Sequence, residues 1–141
     1  MTFQGRKKCE ISITDSDTGE VRVINFSGHP GYLHAVLKGI EIHNVKNKGY
    51  AGVDNDDPLE NFKYVEKEFG IRTEDGFITR ICDKWCRFRN VWKQKVSYLA
   101  DESLIDTMID ISNYFLLMVG YLLEKETDIT AEGKTVNDFI E

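Results

Sequence analysis

The most apolar part of the chain runs from Asp101 to Leu123. At 3.6 residues per turn, one side of a helix here carries apolar residues, namely Leu104, Met108, Ile111, Phe115, Met118 and Leu122. Another side carries carboxylate and amide residues, namely Glu102, Asp106, Asp110 and Asn113. After Asn113 the segment is apolar almost all round, which is typical of a helix buried in a bundle or at a subunit contact. The pattern predicts a long central helix whose polar stripe runs into an apolar environment.

The other elements follow from the same kind of pattern. Residues 8–14 and 21–26 alternate apolar and polar positions around a Gly-containing turn, which predicts a β-hairpin over 8–26. Helices are predicted from 31 to about 48, from 59 to 69 and from about 77 to 96, with 73–76 as a turn. The third helix has a predicted core face of Ile81, Trp85, Phe88 and Trp92. The fold class is therefore mainly α, a helical bundle of three to four helices with an N-terminal β-hairpin.

Length and charge narrow the class of protein. At 141 residues the chain is expected to be a single domain, with the hairpin at 8–26, a helical core at 31–123 and an acidic tail at 124–141 that is loose or a short docking segment. The net charge of −6 argues against binding to a nucleic acid polymer or an anionic membrane. No apolar run is long enough to cross a bilayer, so we expect a cytoplasmic protein.

Carboxylates at helical spacing on the central helix have two interpretations. A solvated outer face explains most such stripes. However, Asp110 and Asn113 lie one turn from the fully apolar section, where a carboxylate needs a cation or hydrogen-bond donors. Mg²⁺ is bound by such carboxylates, usually together with substrate phosphates. The sequence therefore raises a metal and phosphate site as an alternative to a solvated face.

Polar residues on two other helices also have two interpretations. His43, Asn44 and Asn47 continue the inward face of the first helix, and they either cap its end or face a ligand. On the third helix, Arg80, Lys84 and Arg87 form a basic stripe. The stripe is either solvated, or its Lys84 and Arg87 contact phosphate oxygens. Asp83 and Asn90 share a stripe with Arg87 and would extend it into a mixed polar network.

Four segments, taken together and in order, carry a resemblance to a known family. They are EIHNVKNKGYAG (41–52), DPLENF (57–62), ITRICDKWCRFRN (78–90) and DESLIDTMIDISNY (101–114). This set resembles the phage and bacterial nucleotide-modification-associated domain, a MazG-like group of small helical proteins labelled as phage dUTPase-like or pyrophosphohydrolase-like. The resemblance covers about residues 40–123 and leaves the hairpin and the tail outside.

The resemblance implies an oligomeric helical bundle that handles nucleoside phosphates through Mg²⁺ held by helix carboxylates. Glu102 and Asp106 occupy the place of the acidic helix motif. The KN-Tyr motif is matched by Lys46, Asn47 and Tyr50, and the DK-R-N motif by Asp83, Lys84, Arg87 and Asn90. Two positions depart from the family pattern, because the first metal helix offers only Glu41 as a carboxylate and Ser103 stands where the family has Glu.

Two functional hypotheses result. In the first, the protein hydrolyses a (deoxy)nucleoside triphosphate to monophosphate and pyrophosphate. Mg²⁺ would be held by Glu102, Asp106 and Asp110, and Lys84 and Arg87 would stabilise phosphate charge. The substrate-binding residues would be His43, Lys46, Asn47, Tyr50, Asn61, Asp83, Asn90 and Asn113. In the second, the protein binds a nucleotide, for example a host defence signal, without converting it.

Assembly is predicted from apolar surface. The segment from Phe115 to Leu123 needs more covering than the other helices of one chain provide, and a lone hairpin is only marginally stable. We expect a homodimer or a dimer of dimers, with the C-terminal half of the central helix in the contact.

Overall fold

The fold is taken from a computed structural model that describes residues 2–50, 52, 56–94 and 102–130, without the side chains of 102, 103 and 127–130. Two strands and four helices follow one another in this part of the chain. They are β1 (Lys7–Thr14), β2 (Val21–Gly28), α1 (Pro30–Tyr50), α2 (Glu60–Phe69), α3 (Thr73–Lys93) and α4 (Glu102–Thr130). The predicted fold class, a mainly helical protein with an N-terminal β-hairpin, is confirmed. None of the described helices has the length and apolar character needed to span a membrane.

The hairpin forms because its turn is held by side-chain and backbone hydrogen bonds. β1 and β2 are antiparallel, with Lys7 opposite Gly28 and Thr14 opposite Val21. The carboxylate of Asp15 accepts hydrogen bonds from the backbone N–H groups of Asp17 and Thr18, at 2.8 and 3.1 Å. Gly19 has a positive φ of 72°, which a residue with a Cβ rarely adopts. The turn chemistry therefore fixes the register that the alternation pattern requires.

The chain divides into two compact units, and the boundary between Glu41 and Ile42 falls inside α1. The first unit contains the hairpin and the start of α1, where the rings of Phe26 and Tyr32 stack at 6.2 Å. The second unit contains the end of α1 together with α2, α3 and α4. The predicted single domain stays a prediction, and everything below concerns the second unit.

The junction of α2 and α3 corrects one boundary. Gly70 ends α2 in a left-handed conformation, with φ of 68°, as the sequence predicts. However, residues 73–76 are not a turn, because α3 begins at Thr73. The Thr73 hydroxyl donates to a carboxylate oxygen of Glu66 at 2.9 Å, and Thr73 is completely buried. A Cβ on Gly76 would lie 3.0 Å from a Val65 methyl group, so the missing side chain lets α2 and α3 approach closely.

The core of the second unit is a small aromatic cluster between α2, α3 and α4. The rings of Phe62 and Phe77 stack with centroids 4.3 Å apart. Tyr114 meets Phe62 edge-on and Tyr121 is tilted against Phe77, both at 6.2 Å. Offset and edge-to-face arrangements are those that aromatic rings prefer. Leu59 completes the buried cluster, against which Leu117 and Met118 pack.

The central helix is longer than predicted, because α4 continues past Leu123 to Thr130. Two ion pairs hold this extension, in which Lys63 pairs with Glu124 at 2.5 Å and Lys125 pairs with Glu74 at 2.6 Å. Part of the predicted acidic tail is therefore helix. The rest of the predicted tail, residues 131–141, lies outside the described residues.

The predicted inward faces of two helices are also partly wrong. On α4, Met108, Phe115 and Leu122 are 47%, 50% and 40% exposed. On α3, Trp85 and Trp92 are about half exposed, whereas Phe77 and Ile81 are buried. The side of α4 that faces the core is marked instead by Leu104, Thr107, Tyr114 and Tyr121, which include hydroxyl-bearing residues that a pattern of purely apolar residues passes over.

Candidate functional site

A cleft in the second unit is the candidate site. It is lined by the last part of α1, the start of α2, one residue of α3 and the middle of α4: His43, Lys46, Asn47, Tyr50, Asn61, Phe62, Arg80, Asp110, Asn113, Tyr114 and Leu117. It offers about 40 Å³ to the centres of water molecules, and its total empty volume, open solvent included, is about 440 Å³. A water needs roughly 10–15 Å³ on the first measure, so the cleft holds a small group, and a larger ligand would project into solvent.

Asp110 is the charged centre of the cleft. One carboxylate oxygen accepts a hydrogen bond from the Lys46 ammonium at 2.7 Å, and the other accepts from the Lys84 ammonium at 3.0 Å. The Asp110 side chain is only 12% exposed. Burial raises the pKa of this carboxyl, but the hydrogen bonds from Lys46 and Lys84 outweigh burial, so the pKa lies below its ordinary value. Asp110 is therefore an ionised carboxylate held between α1 and α3.

Arg80 contributes a second cation. Its guanidinium carbon lies 4.5 Å from the centroid of the Phe62 ring, within the range of a cation–π interaction. Phe62 is fixed in turn by stacking on Phe77, which is completely buried. The half-buried guanidinium is thus positioned by rigid aromatic residues. A planar cation of this kind suits a carboxylate, a phosphate or an aromatic ring as its partner.

Amide side chains add hydrogen-bonding groups. The Asn47 amide nitrogen donates to the backbone oxygen of Pro58 at 2.7 Å. Because that contact uses the nitrogen, the Asn47 side-chain oxygen is an acceptor whose orientation is fixed. Asn61 and Asn113 also line the cleft and are half-buried. The cleft therefore combines cations, amides and aromatic rings, the groups that orient a small polar aromatic ligand.

Most of the predicted substrate-binding residues meet in this cleft. His43, Lys46, Asn47, Tyr50, Asn61 and Asn113 line it together with Asp110, and Lys84 reaches Asp110 from α3. The ligand-facing interpretation of the α1 polar residues therefore has a geometric basis for His43 and Asn47. Their predicted roles in binding stay predictions.

Other predicted residues lie elsewhere. Asp83, Arg87 and Asn90 are exposed on α3 and do not line the cleft. Asp106 is half-buried with its Oδ1 atom shielded from solvent, and it does not line the cleft either. Glu102 belongs to α4, but its side chain lies outside the described residues.

Four lining residues were missed by the sequence analysis: Phe62, Arg80, Tyr114 and Leu117. A signal existed for three of them. Phe62 and Tyr114 end two of the family-like segments, and Arg80 lies one turn before Lys84, so both basic side chains leave the same side of α3. The sequence analysis gave Phe62 and Tyr114 no role of their own, so they were not considered as walls of a cleft.

The described donors do not fit a Mg²⁺ site. Among these residues no three His, Cys, Asp or Glu side chains are grouped so that they could hold a metal ion. Both oxygens of Asp110 already accept hydrogen bonds from lysine ammonium groups, which oppose binding of a dication at the same carboxylate. Mg²⁺ requires near-octahedral oxygen ligands, and the cleft presents one carboxylate for that purpose. We therefore derive no chemical step through a metal.

A second surface of the same unit is apolar. We define the outer stripe as Ile105, Met108, Ser112, Phe115, Val119 and Leu122 of α4, which recur at spacings of three and four residues. Its five apolar members are between 39% and 51% exposed. Trp85 and Phe88 of α3 line a shallow groove with Met108 and Ser112. Exposed apolar residues grouped on one helix face are typical of surfaces that contact a partner.

Comparison with known proteins finds no matching family, no matching characterised protein and no matching solved structure.

Proposed function

We propose that the cleft binds a nucleotide-type ligand and does not hydrolyse it. The proposal rests on one observation: three classes of side chain that a nucleotide needs as partners line the same half-enclosed cleft. Aromatic rings suit a base, amides suit its polar edge, and cations suit a phosphate. The first class is supplied by Tyr50 and Tyr114, the second by Asn47, Asn61 and Asn113, and the third by Lys46 and Arg80.

The size of the cleft indicates how such a ligand would enter. The cleft offers about 40 Å³ to water centres, which suits one end of a nucleotide and not the whole molecule. Tyr50 is 69% exposed at the end of α1, so it is available to a group lying in the mouth. The ligand would insert one end and leave the other against the mouth.

The positions and contacts of Asp106 and Asp110, two of the predicted metal-binding carboxylates, favour binding without turnover over hydrolysis. Hydrolysis to monophosphate and pyrophosphate was assigned to Mg²⁺ on Glu102, Asp106 and Asp110. Asp110 is instead engaged by Lys46 and Lys84, and Asp106 does not line the cleft. Lys84 was to stabilise phosphate charge, but it donates to Asp110. The non-catalytic alternative needs none of these groups to act on a metal.

The test is to recover the ligand after binding. The protein is incubated with a panel of nucleotides, with and without Mg²⁺, separated from free ligand, heated to release what it holds, and the released material is chromatographed. Intact nucleotide supports the proposal. Conversion to monophosphate and pyrophosphate that Asp106→Ala abolishes would support hydrolysis instead.

A matched pair of variants ties the binding to the cleft. Lys46 lines the cleft, whereas Lys48, two residues later on α1, does not. Lys46→Met should reduce the amount of nucleotide recovered, and Lys48→Met should leave it unchanged. Equal recovery from both variants would contradict the assignment of the cleft.

We also propose that the protein assembles as a homodimer or a dimer of dimers through the outer stripe. The stripe has the 3–4 spacing with which helices pack along a shared seam. It includes Phe115 and Val119 from the C-terminal half of α4, the part predicted to form the subunit contact. A second copy of the same face would cover it with self-complementary surface.

A further inference from the structure

We propose that Asp110 is an internal counter-ion that the ligand's phosphate replaces at Lys46, so that this carboxylate sets both the affinity of the cleft and its preference for compact anions. The inference rests on the proposed nucleotide site and names the group by which the ligand is recognised. It also assigns Asp110 a role opposite to that of a metal ligand.

The arrangement places an anion of the protein where an anion of the ligand would bind. Asp110 and Lys46 both line the cleft, and their charged atoms are 2.7 Å apart. The Lys46 side chain is 44% exposed, so its ammonium can turn from the carboxylate to a group arriving from the mouth. A phosphate near neutral pH carries up to two negative charges and several acceptor oxygens, which makes it a stronger partner for the ammonium than one carboxylate oxygen.

The second lysine makes the exchange feasible. A buried carboxylate that loses its only cation is left uncompensated, which is strongly unfavourable. Asp110 would keep a cation partner, because the Lys84 ammonium, which belongs to α3, lies 3.0 Å from its other carboxylate oxygen. Lys84 therefore keeps the carboxylate paired while Lys46 contacts the ligand. A carboxylate with one lysine partner would be left unpaired when that lysine turned to the ligand.

The direction in which Asp110→Asn changes the affinity for anions distinguishes a counter-ion from a metal ligand. If the carboxylate competes with the ligand for Lys46, Asp110→Asn removes the competitor and anions bind more tightly. If the carboxylate holds Mg²⁺, the same substitution weakens binding of nucleotides in the presence of Mg²⁺. Asp75→Asn is the matched control, because Asp75 also pairs with a cation, Arg72 at 3.0 Å, but lies outside the cleft.

The experiment titrates orthophosphate and pyrophosphate into the full-length protein by calorimetry, at neutral pH, low salt and with a chelator present. We expect Asp110→Asn to bind pyrophosphate on the order of tenfold more tightly than the unmodified protein, since it removes a partly shielded like charge beside the anion. Asp75→Asn should bind as the unmodified protein does. Equal or weaker binding by Asp110→Asn would overturn the inference.

If Asp110→Asn does not fold, Asp110→Ala takes its place in the titrations. A second measurement needs no variant: the carboxyl ¹³C resonance of Asp110 is followed in the unmodified protein as pyrophosphate is added. A shift of that resonance at saturation supports the exchange, and its constancy overturns it. Nucleotide titrations distinguish the two proposals. If Asp110→Asn binds a nucleotide with unchanged affinity, only the counter-ion role of Asp110 is rejected. If none of the proteins binds a nucleotide, the proposed function is rejected.

Discussion

The two faces of α4 differ in both composition and environment. The inner face bears Leu104, Thr107 and Tyr121, which are buried, and Tyr114, which packs against the aromatic cluster. The same face bears Asp110 and Asn113, which line the cleft. The outer stripe is almost wholly aliphatic or aromatic, yet its apolar members are 39% to 51% exposed. The face with hydroxyls, a carboxylate and an amide is therefore the one that is buried.

The difference shows that hydrophobicity and burial are separate properties of a helix face. Tyr121 is 8% exposed because its ring fills the space beside Phe77 and its hydroxyl need not be fully enclosed. Thr107 is 3% exposed and engaged in a polar contact. The outer stripe, by contrast, is only about half covered within the described part of one chain, where Met108 and Ser112 line a shallow groove with Trp85 and Phe88. Such a face is explained if its covering belongs to a second copy, as we propose.

The largest expected effect comes from the inner face. Leu104 is 2% exposed, and Leu104→Ala should lower the free energy of unfolding by about 2–5 kcal/mol because it removes transfer free energy and leaves a cavity. Met108, one turn later on the outer stripe, is 47% exposed, and Met108→Ala should cost less than about 1 kcal/mol at low protein concentration. Urea unfolding measures both, and equal losses would remove the distinction between the two faces.

Assembly is the next largest effect. Phe115→Lys places a charge in the middle of the outer stripe and should convert the oligomer to a folded monomer, because a buried unpaired ammonium is unfavourable in an apolar contact. Phe69→Lys is the matched control, since Phe69 is 73% exposed at the end of α2. Sedimentation and circular dichroism report mass and fold. A monomeric unmodified protein at low micromolar concentration would reject the proposed assembly.

Met118→Lys would not test the proposed assembly, although Met118 lies on the apolar side predicted from the sequence. Met118 packs against the aromatic core cluster and does not belong to the outer stripe. A charge there would disturb the inner face directly, so unfolding would say nothing about subunit contact.

A smaller effect concerns acid. The folded-state pKa of Asp110 lies below the ordinary value of 3.8, so the folded protein binds fewer protons there than the unfolded chain does. The resulting stability is fully present above about pH 4 and is lost as the pH falls through the lowered pKa. Asp110→Asn should lose correspondingly less stability on acidification. Ser112→Ala, on the outer stripe where no residue titrates, should match the unmodified protein.

Elements with a local signal could be predicted from the sequence. The hairpin is fixed by its turn and alternation, and the end of α2 by Gly70, because these signals lie within a few residues of the structure they produce. The start of α3 was predicted too late in the chain. Gly76 indicates a turn when only its neighbours in sequence are considered, whereas in the structure it allows close contact with Val65. The extension of α4 forms ion pairs with Lys63 and Glu74, partners far away in the sequence that no local pattern could identify.

The candidate site was partly predictable for the same reason. Helical spacing on α1 placed His43, Lys46, Asn47 and Tyr50 near one another, and they do share a cleft. Spacing alone could not show that Asp110 meets two lysines, because that contact joins three helices. Nor could it show which basic residue of α3 turns inward, and Arg80 does so while Arg87 is exposed.

Two neighbouring aromatic residues of α4 provide the sharpest test of the proposed nucleotide-binding cleft. Tyr114 lines the cleft, whereas Phe115 lies on the outer stripe and is 50% exposed. Calorimetric titration of a nucleotide that the protein retains should give at least about tenfold weaker binding for Tyr114→Leu, because a stacked base loses its ring partner. Phe115→Leu should bind as the unmodified protein does. Equal affinities in all three proteins, or an equal loss in both variants, would contradict the account.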